Sequence, residues 1–189
     1  MLNFIRFIEV IISIQSMIIS TMIPIFITLP FPDKFKAALE MPISLQIPIV
    51  IIISIIFERN VVFTAFTIYL IIGLFFYPIF HHGGSLGYLL TPNFGYLIGY
   101  YPLIQIINKL NKKSKVHLVD FLRKGLIAIS ILHLVGIIFN LILMIYYNQF
   151  DNFFYNFGNL TLGKVGYHYL MLLPISLLIK PINYFKRFY

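Results

Sequence analysis

The sequence predicts an all-α membrane protein with six transmembrane helices, in one integral membrane domain that covers residues 1–189. Hydrophobic residues make up 60% of the chain and charged residues 11%, whereas soluble domains have about 25% charged residues. Several long runs have no charge at all, and a membrane-spanning helix needs roughly 20 apolar residues. The basic residues cluster between these runs, which is typical of membrane topology.

The charge-free runs indicate where each helix lies. The long runs are 10–32, 60–108 and 125–150, and the shorter runs are 41–57 and 165–179. They predict helices at residues 4–29, 43–57, 60–80, 92–110, 120–147 and 165–186. The first helix does not resemble a cleaved signal peptide, because its apolar run is too long and lacks a small-residue cleavage site.

The distribution of Lys and Arg predicts that both termini are cytoplasmic. Eleven of the 14 basic residues fall on one side of the predicted six-helix topology. They are Arg6, Arg59, Lys109, Lys112, Lys113, Lys115, Arg123, Lys124, Lys180, Lys186 and Arg187. The other side has only Lys34, Lys36 and Lys164. Cytoplasmic loops are enriched in Lys and Arg, and an odd number of helices would remove this separation.

The three predicted outer connections are more elaborate than the cytoplasmic ones. Residues 30–42 hold several prolines and charges, residues 80–92 hold two histidines and three glycines, and residues 148–164 are rich in aromatic and amide side chains. Interfacial aromatics also serve as membrane anchors. Such connections above a small bundle favour capture of a ligand from outside.

Composition and motifs exclude several other functions. The chain has no cysteine, so it has no disulfide framework, Cys-ligated zinc or iron–sulfur cluster. It also has no G-x-x-x-x-G-K-[ST] loop, so it does not hydrolyse ATP by that route. The net charge of +8 is explained by membrane topology, so we expect no nucleic-acid partner. We also expect no metal or cofactor.

One motif offers an enzymatic alternative. Residues 83–87 match G-x-S-x-G, which places a nucleophilic serine on a strand-to-helix turn in many hydrolases. Ser85 would then act with His133 or His168 as the base of an intramembrane serine hydrolase. Because no strand is predicted before Ser85, we favour a tight glycine loop that permits close packing. The neighbouring pair His81-His82 lacks further metal ligands at helical spacing, which favours a hydrogen-bonding pair.

Small and polar residues mark particular helix faces. His133, Gly136 and Asn140 share one face of the fifth helix, where they either form an interhelical hydrogen bond or line a cavity. Gly95 and Gly99 form a G-x-x-x-G pattern, and Ser16 and Ser20 form a similar pattern of small residues. Such patterns favour close helix packing, most simply within the chain.

Lys180 is the most informative charge in the apolar sequence. Pro174 interrupts the last hydrophobic segment, and only 15 residues follow it, which is about 22 Å of helix. Lys180 would then lie inside the bilayer, where a charge is a candidate binding residue. The alternative is that its long side chain extends to the cytoplasmic interface.

The order and spacing of several motifs carry a family resemblance. Met41-Pro42-Ile43-Ser44-Leu45-Gln46 resembles P-[IV]-[TS]-L-Q, and Arg59 is the basic residue that follows helix two. Tyr69, Gly73, Pro78, Phe80, Gly83, Gly84 and Gly87 follow Y-L-x-x-G … P-V-F … G-G-x-x-G. The stretch 90–99 is similar to L-x-G-P-T-G-G-Y-L-x-G, and 134–136 occupies the position of L-L-G. The chain thus resembles the BioY family, the biotin-binding S components of energy-coupling-factor transporters.

The resemblance implies a six-helix S-component fold whose pocket for biotin faces outward in a bacterial-type plasma membrane. The first outer loop and the loop of Gly83 and Gly84 would close the pocket. Gln46, His82, Tyr96, Asn140 and Lys180 would supply its polar groups. The family's partners are a transmembrane T component, contacted through small residues of helix one, and a pair of ATPases. Here Ser16 and Ser20 offer that contact, and the chain would otherwise act alone as an oligomer.

One departure from the family keeps other functions open. The family's P-G-D-L-[IL]-K stretch corresponds to residues 173–180, where Lys180 is retained but no aspartate lies nearby. An S component for another small vitamin is therefore an alternative to biotin uptake. The serine hydrolase and a structural protein without a ligand are the alternatives outside transport.

Overall fold

The computed structural model describes residues 2–28, 38–80, 83–113 and 115–185. This part of the chain is predominantly helical. Helices in the first half are α1 (Leu2–Met22), α2 (Gln46–Ile56), α3 (Arg59–Phe75), α4 (Pro92–Ile98) and α5 (Tyr100–Asn108). Those in the second half are α6 (Leu118–Tyr147), α7 (Phe150–Phe157), α8 (Gly163–Leu170), α9 (Leu172–Leu177) and α10 (Ile179–Phe185). A 3₁₀ turn, Leu86–Leu90, precedes α4.

The first predicted helix is shorter than expected, because its last part forms a β-strand. Strand β1 (Pro24–Thr28) pairs antiparallel with β2 (Ala38–Ser44). Pro24 explains the end of α1, since a residue before proline avoids the α conformation and proline cannot donate the next helical hydrogen bond. The prediction of a helix through residue 29 was therefore wrong, and the helix is followed by one strand of a hairpin.

The predicted outer connection at residues 148–164 is also largely helical. Asn148 ends α6 in a left-handed conformation, and α7 begins two residues later. A π-helical segment, Gly158–Leu162, joins α7 to α8. The boundaries between α7 and α10 all keep right-handed helical backbone angles, so the chain continues as one irregular helical stretch.

Two helices are long and apolar enough to cross a membrane. Within the described residues these are 3–22 and 118–147, and α2 and α3 are shorter apolar helices. The count of six separate spanning helices is not confirmed, because α4–α5 and α7–α10 are interrupted. The broader prediction of a helical bundle agrees with the architecture.

Helix α6 packs along α4 and α5, and two glycines set the distance. A Cβ atom added to Gly95 would lie 2.4 Å from Phe139 Cβ, and one added to Gly99 would lie 2.7 Å from the Leu132 carbonyl oxygen. Both distances are far below a van der Waals contact. The predicted use of the G-x-x-x-G face for packing within the chain is confirmed.

The Tyr69 hydroxyl joins three helices in the core. Tyr69 is fully buried on α3, and its oxygen accepts a hydrogen bond of 3.1 Å from Gln46 Nε2 on α2. The same hydroxyl lies 3.1 Å from Thr21 Oγ1 on α1. Burial of a polar group is costly without such partners, so Tyr69, Gln46 and Thr21 are mutually dependent.

Two asparagines cap the C-terminus of α2. Asn108 Nδ2 donates to the carbonyl oxygens of Ser54 and Phe57 at 2.9 and 2.8 Å. Asn111 Nδ2 donates to the carbonyls of Ile55, Ile56 and Phe57 at 2.8–3.0 Å. The last carbonyls of a helix have no partner within it, so these amides supply the missing donors and attach α2 to the end of α5.

This cap predicts a stability loss for Asn108→Ala. Asn108 is 3% exposed, and its removal leaves the Ser54 carbonyl oxygen without its donor, at a cost of about 1–3 kcal/mol. The Phe57 carbonyl keeps its hydrogen bond from Asn111. We expect the midpoint of thermal unfolding in detergent to fall by about 2–10 °C. Lys112→Ala, at an exposed position one turn away, should leave the midpoint unchanged. Equal midpoints for both variants would contradict the capping role.

Candidate ligand-binding site

A cavity lies between the start of α2, the α4–α5 segment, α6 and α8. Its volume is about 100 Å³, below the roughly 300–1,000 Å³ of typical ligand pockets, so a vitamin-sized ligand must displace lining side chains. The lining is mixed, with aromatic, aliphatic and hydrogen-bonding groups. It consists of Ile43, Ser44, Gln46, Ile47, Tyr88, Asn93, Tyr96, Tyr100, Leu132, His133, Leu160, Lys164 and His168.

Gln46 lines the cavity from the first turn of α2. It is 6% exposed, and its hydrogen bond to Tyr69 occupies one of its amide N–H groups. Ser44 Oγ accepts a hydrogen bond of 3.4 Å from the Gln46 backbone N–H, which connects the strand β2 to the helix start. The hydrogen bond to the buried Tyr69 therefore restricts the movement of Gln46 in the cavity wall.

Tyr96 is held against α6 by a glycine. A Cβ added to Gly136 would lie 2.5 Å from Cδ1 of the Tyr96 ring, so only glycine leaves room for the ring. The Tyr96 hydroxyl lies 2.7 Å from Thr161 Oγ1 in the π-helical segment. This pair of contacts joins α4, α6 and the π-helical segment beside the cavity.

Two buried histidines meet across the cavity wall. His133 of α6 and His168 of α8 are 3% and 8% exposed, and His133 Nε2 lies 2.9 Å from His168 Nδ1. The Tyr96 ring stands edge-on to the His133 ring with centroids 5.6 Å apart. The two interpretations of the His133 face, an interhelical hydrogen bond and a cavity wall, are therefore both correct for this residue.

Lys164 brings a positive charge to the same cavity. It lies in the first turn of α8 and is half-buried. The described residues that line the cavity include no Asp or Glu, so an anionic ligand group would meet no like charge from them. An ammonium with three donors in a partly apolar site is suited to a carboxylate.

The arrangement suits a small organic molecule that has an anionic group and a hydrogen-bonding ring. Aromatic and aliphatic walls supply contact area, and a few fixed polar groups supply orientation, as is general for ligand pockets. In the described part of the chain, no three His, Cys, Asp or Glu side chains are close enough to hold a metal ion together.

The structure brings only some of the predicted site residues to this cavity. Gln46 and Tyr96 line it. Asn140 is 1% exposed and accepts a 3.4 Å hydrogen bond from Asn156, but it is not among the lining residues. Lys180 is exposed on α10, also outside the lining. His82 lies outside the described residues.

Gly83 and Gly84 have structural roles next to the core. Gly83 has a φ of +131°, which favours glycine, and it forms two backbone hydrogen bonds with Phe80. A Cβ on Gly84 would lie 2.6 Å from the Gly73 carbonyl oxygen. Gly83 thus holds Phe80, whose ring lies edge-on to Tyr69 with centroids 5.4 Å apart, and Gly84 packs against the backbone of α3. Neither glycine lines the cavity.

Ser85 is not placed as the nucleophile of the hydrolase alternative. Its side chain is exposed, and it is not among the residues that line the cavity containing His133 and His168. An isolated bridge between Phe80 and Gly83, not a strand, precedes it. Neither this geometry nor the similarities described below support a serine hydrolase.

The small-residue face of α1 is turned mainly into the chain. Ser20 is 2% exposed, and its hydroxyl donates to the Met17 carbonyl at 2.9 Å. Ser16 is half-buried. The exposed side of α1 instead carries large apolar residues such as Phe7 and Ile12. Docking of another subunit through Ser16 and Ser20 stays a prediction.

The sequence prediction did not include Lys164, which lines the cavity, or Thr161, which contacts Tyr96 beside it. Lys164 was assigned only to an outer connection, because a charge at the end of an apolar run resembles an ordinary boundary lysine. A signal was present in the spacing, since the family's D-L-[IL]-K stretch has its Lys three positions after its Asp, and Thr161 and Lys164 have the same separation. Thr161 is 6% exposed.

Two comparisons with known proteins find similarities. The model of the BioY family matches residues 4–173. The structure resembles a crystal structure at 2.1 Å of the S-component for biotin from an ECF-type ABC transporter, with a TM-score of 0.62 and 16% sequence identity. The match covers 94% of this chain and 92% of the other. At this identity it shows a shared fold. No curated protein matches the sequence.

The contact between Gly136 and Tyr96 predicts a sharp difference between two glycine substitutions. Gly136→Ala would push a methyl group into the Tyr96 ring, and such overpacking costs about 1–3 kcal/mol. Gly166→Ala, in α8, meets nothing within 4 Å and should stabilise its helix slightly. We expect thermal unfolding in detergent at a lower temperature for Gly136→Ala alone. Equal unfolding temperatures would show that the ring moves aside at no cost.

Proposed function

Because the chain belongs to the BioY family, whose model matches residues 4–173, we propose that it is a biotin-binding S component of an ECF-type transporter. The family match is the observation that carries this proposal. The shared fold with an S-component for biotin supports it. The cavity supports it through chemistry, since biotin combines a carboxylate, an apolar sulfur ring and a ureido group with donors and an acceptor.

In this proposal Lys164 binds the carboxylate of biotin. Lys164 and His168 are four residues apart on α8, which is about 6 Å along the helix axis. This rise separates the two positions along the helix, so the two ends of one ligand can reach them separately. A carboxylate at Lys164 then leaves the rings of an extended ligand beside the His133–His168 end of the cavity.

The ring system of biotin would occupy the part of the cavity formed by Tyr96, Tyr100 and Leu132. These side chains offer two aromatic faces and an aliphatic surface, suited to the apolar sulfur ring. Gln46 offers amide groups in the same cavity lining. The predicted roles of Gly83, Gly84 and Asn140 would then be indirect, because these residues do not line the cavity.

We propose that this subunit binds its substrate and does not catalyse a reaction. It has no phosphate-binding loop, so uptake would use the ATPase pair and T component that the family resemblance implies. Binding would favour one orientation of the subunit, and the ATP cycle of the partners would reverse it. A homo-oligomer is the arrangement expected if the chain acts alone.

Lys164→Ala is expected to weaken biotin binding at least tenfold, because it removes a charge-assisted contact with the carboxylate. Lys180→Ala, which changes an exposed lysine outside the cavity, should bind biotin as the wild type does. Equilibrium binding of labelled biotin to both purified variants in detergent measures the difference. Comparison of their thermal unfolding establishes that both are folded.

Two results would contradict the proposal in different ways. Loss of binding in Lys180→Ala, with Lys164→Ala unaffected, would move the carboxylate site to the last helix. Folded wild-type protein that does not bind micromolar biotin would exclude biotin, and competition by other small vitamins would then identify the S-component alternative.

The same proposal places the chain in the bacterial inner membrane with both termini cytoplasmic. The chain has no native cysteine, so single-cysteine variants can be labelled without background. In intact cells a membrane-impermeant maleimide should label Lys36→Cys in the first outer connection and should not label Lys112→Cys. After lysis both should be labelled. The reverse pattern in intact cells would invert the topology.

A further inference from the structure

The His133–His168 pair leaves one ring nitrogen of His133 without a hydrogen-bond partner among the described residues. His133 Nδ1 is buried and has no hydrogen-bond partner within the described residues, although the residue lines the cavity. Its other ring nitrogen, Nε2, is occupied by His168 Nδ1 at 2.9 Å. A buried polar atom without a partner is costly, which indicates a ligand group opposite it.

The pairing of the two rings determines what His133 Nδ1 can offer. A neutral imidazole has one donor and one acceptor nitrogen. If His133 Nε2 donates to His168, then His133 Nδ1 is an acceptor. If His168 Nδ1 donates instead, His133 Nδ1 carries the proton and is a donor. The pair can thus meet an N–H or a carbonyl when both rings change tautomer together, each ring keeping one proton and staying neutral.

Resting on the proposed function, we propose that His133 Nδ1 hydrogen-bonds the ureido group of biotin and that His168 is a positioning residue that holds the His133 ring. The ureido C=O would accept a hydrogen bond from His133 Nδ1 in one tautomeric arrangement. A ureido N–H would donate to His133 Nδ1 in the other. His168 lies one helical turn from Lys164, so the carboxylate and ureido ends of one ligand meet different residues.

Side chains packed around His133 restrict the movement of its ring. Nδ1 is then the ring atom left to contact a ligand. The Tyr96 ring packs edge-on against it, and Leu132, the preceding residue on α6, is 1% exposed in the same wall. The charged group that shares the cavity lining is Lys164. The described lining has no carboxylate that would bind the imidazole in place of a ligand.

Two pairs of amide variants separate a ligand contact from a structural one. An asparagine amide reproduces the position of histidine Nδ1, and a glutamine amide reproduces that of Nε2. His133→Asn therefore keeps the group offered to the ligand and loses the contact with His168, while His133→Gln does the reverse. His168→Asn keeps the atom that holds His133, and His168→Gln removes it.

The experiment is equilibrium binding of labelled biotin to the wild type and these four variants in detergent, with Lys164→Ala alongside. We expect His133→Gln to bind about tenfold more weakly than His133→Asn, as for one lost buried hydrogen bond. We also expect His168→Asn to bind more tightly than His168→Gln, which is a rescue by the conservative variant.

The outcomes distinguish this inference from the function on which it rests. Equal binding by His133→Asn and His133→Gln, or weaker binding by His133→Asn, would show that the pair only stabilises the fold. Full binding by His133→Gln together with loss in Lys164→Ala would reject the role of His133 and keep the biotin site. Absence of biotin binding by folded wild type would overturn both.

Discussion

The cavity depends on one buried hydroxyl, that of Tyr69. Its oxygen contacts Gln46 and Thr21, so the residue that forms one wall of the cavity is tied to α1 and α3. In an apolar bundle such a group has no water to replace a lost partner, and each partner therefore constrains the others. The aromatic contacts of Phe66 and Phe80 with the same ring restrict its movement further.

Glycines adjust the remaining distances around this centre. Gly136 makes room for Tyr96, and Gly73 makes room for Phe80, whose ring atoms lie 2.2 Å from an added Cβ. Each pair joins a small residue to a large ring, so the ring packs directly against a helix backbone. The site is therefore shaped by residues that do not themselves contact a ligand.

The helical framework follows largely from the apolar runs, because lipid requires long uncharged segments. The positions of the helix ends do not follow from these runs. Helix α1 ends early because of Pro24 and because the next residues pair with strand β2. Gln46 and Tyr96 were found because motifs mark them. Lys180 was favoured over Lys164 because Leu178-Ile179-Lys180 matches the family's L-[IL]-K, whereas tertiary packing brings Lys164 to the cavity. The pairing of two histidines likewise depends on how α6 and α8 are aligned, which no local pattern records.

The asparagine cap on α2 has a consequence for how the chain is made. Asn108 lies 54 residues after Ser54, whose carbonyl it satisfies, and ribosomes add about 5–20 residues per second. About 3–10 s therefore pass between the synthesis of Ser54 and that of Asn108, which caps it. Unsatisfied carbonyls are expensive in lipid, so this end of α2 must stay hydrated, or held by the insertion machinery, until α5 emerges. Complete capping of α2 therefore follows the synthesis of α5.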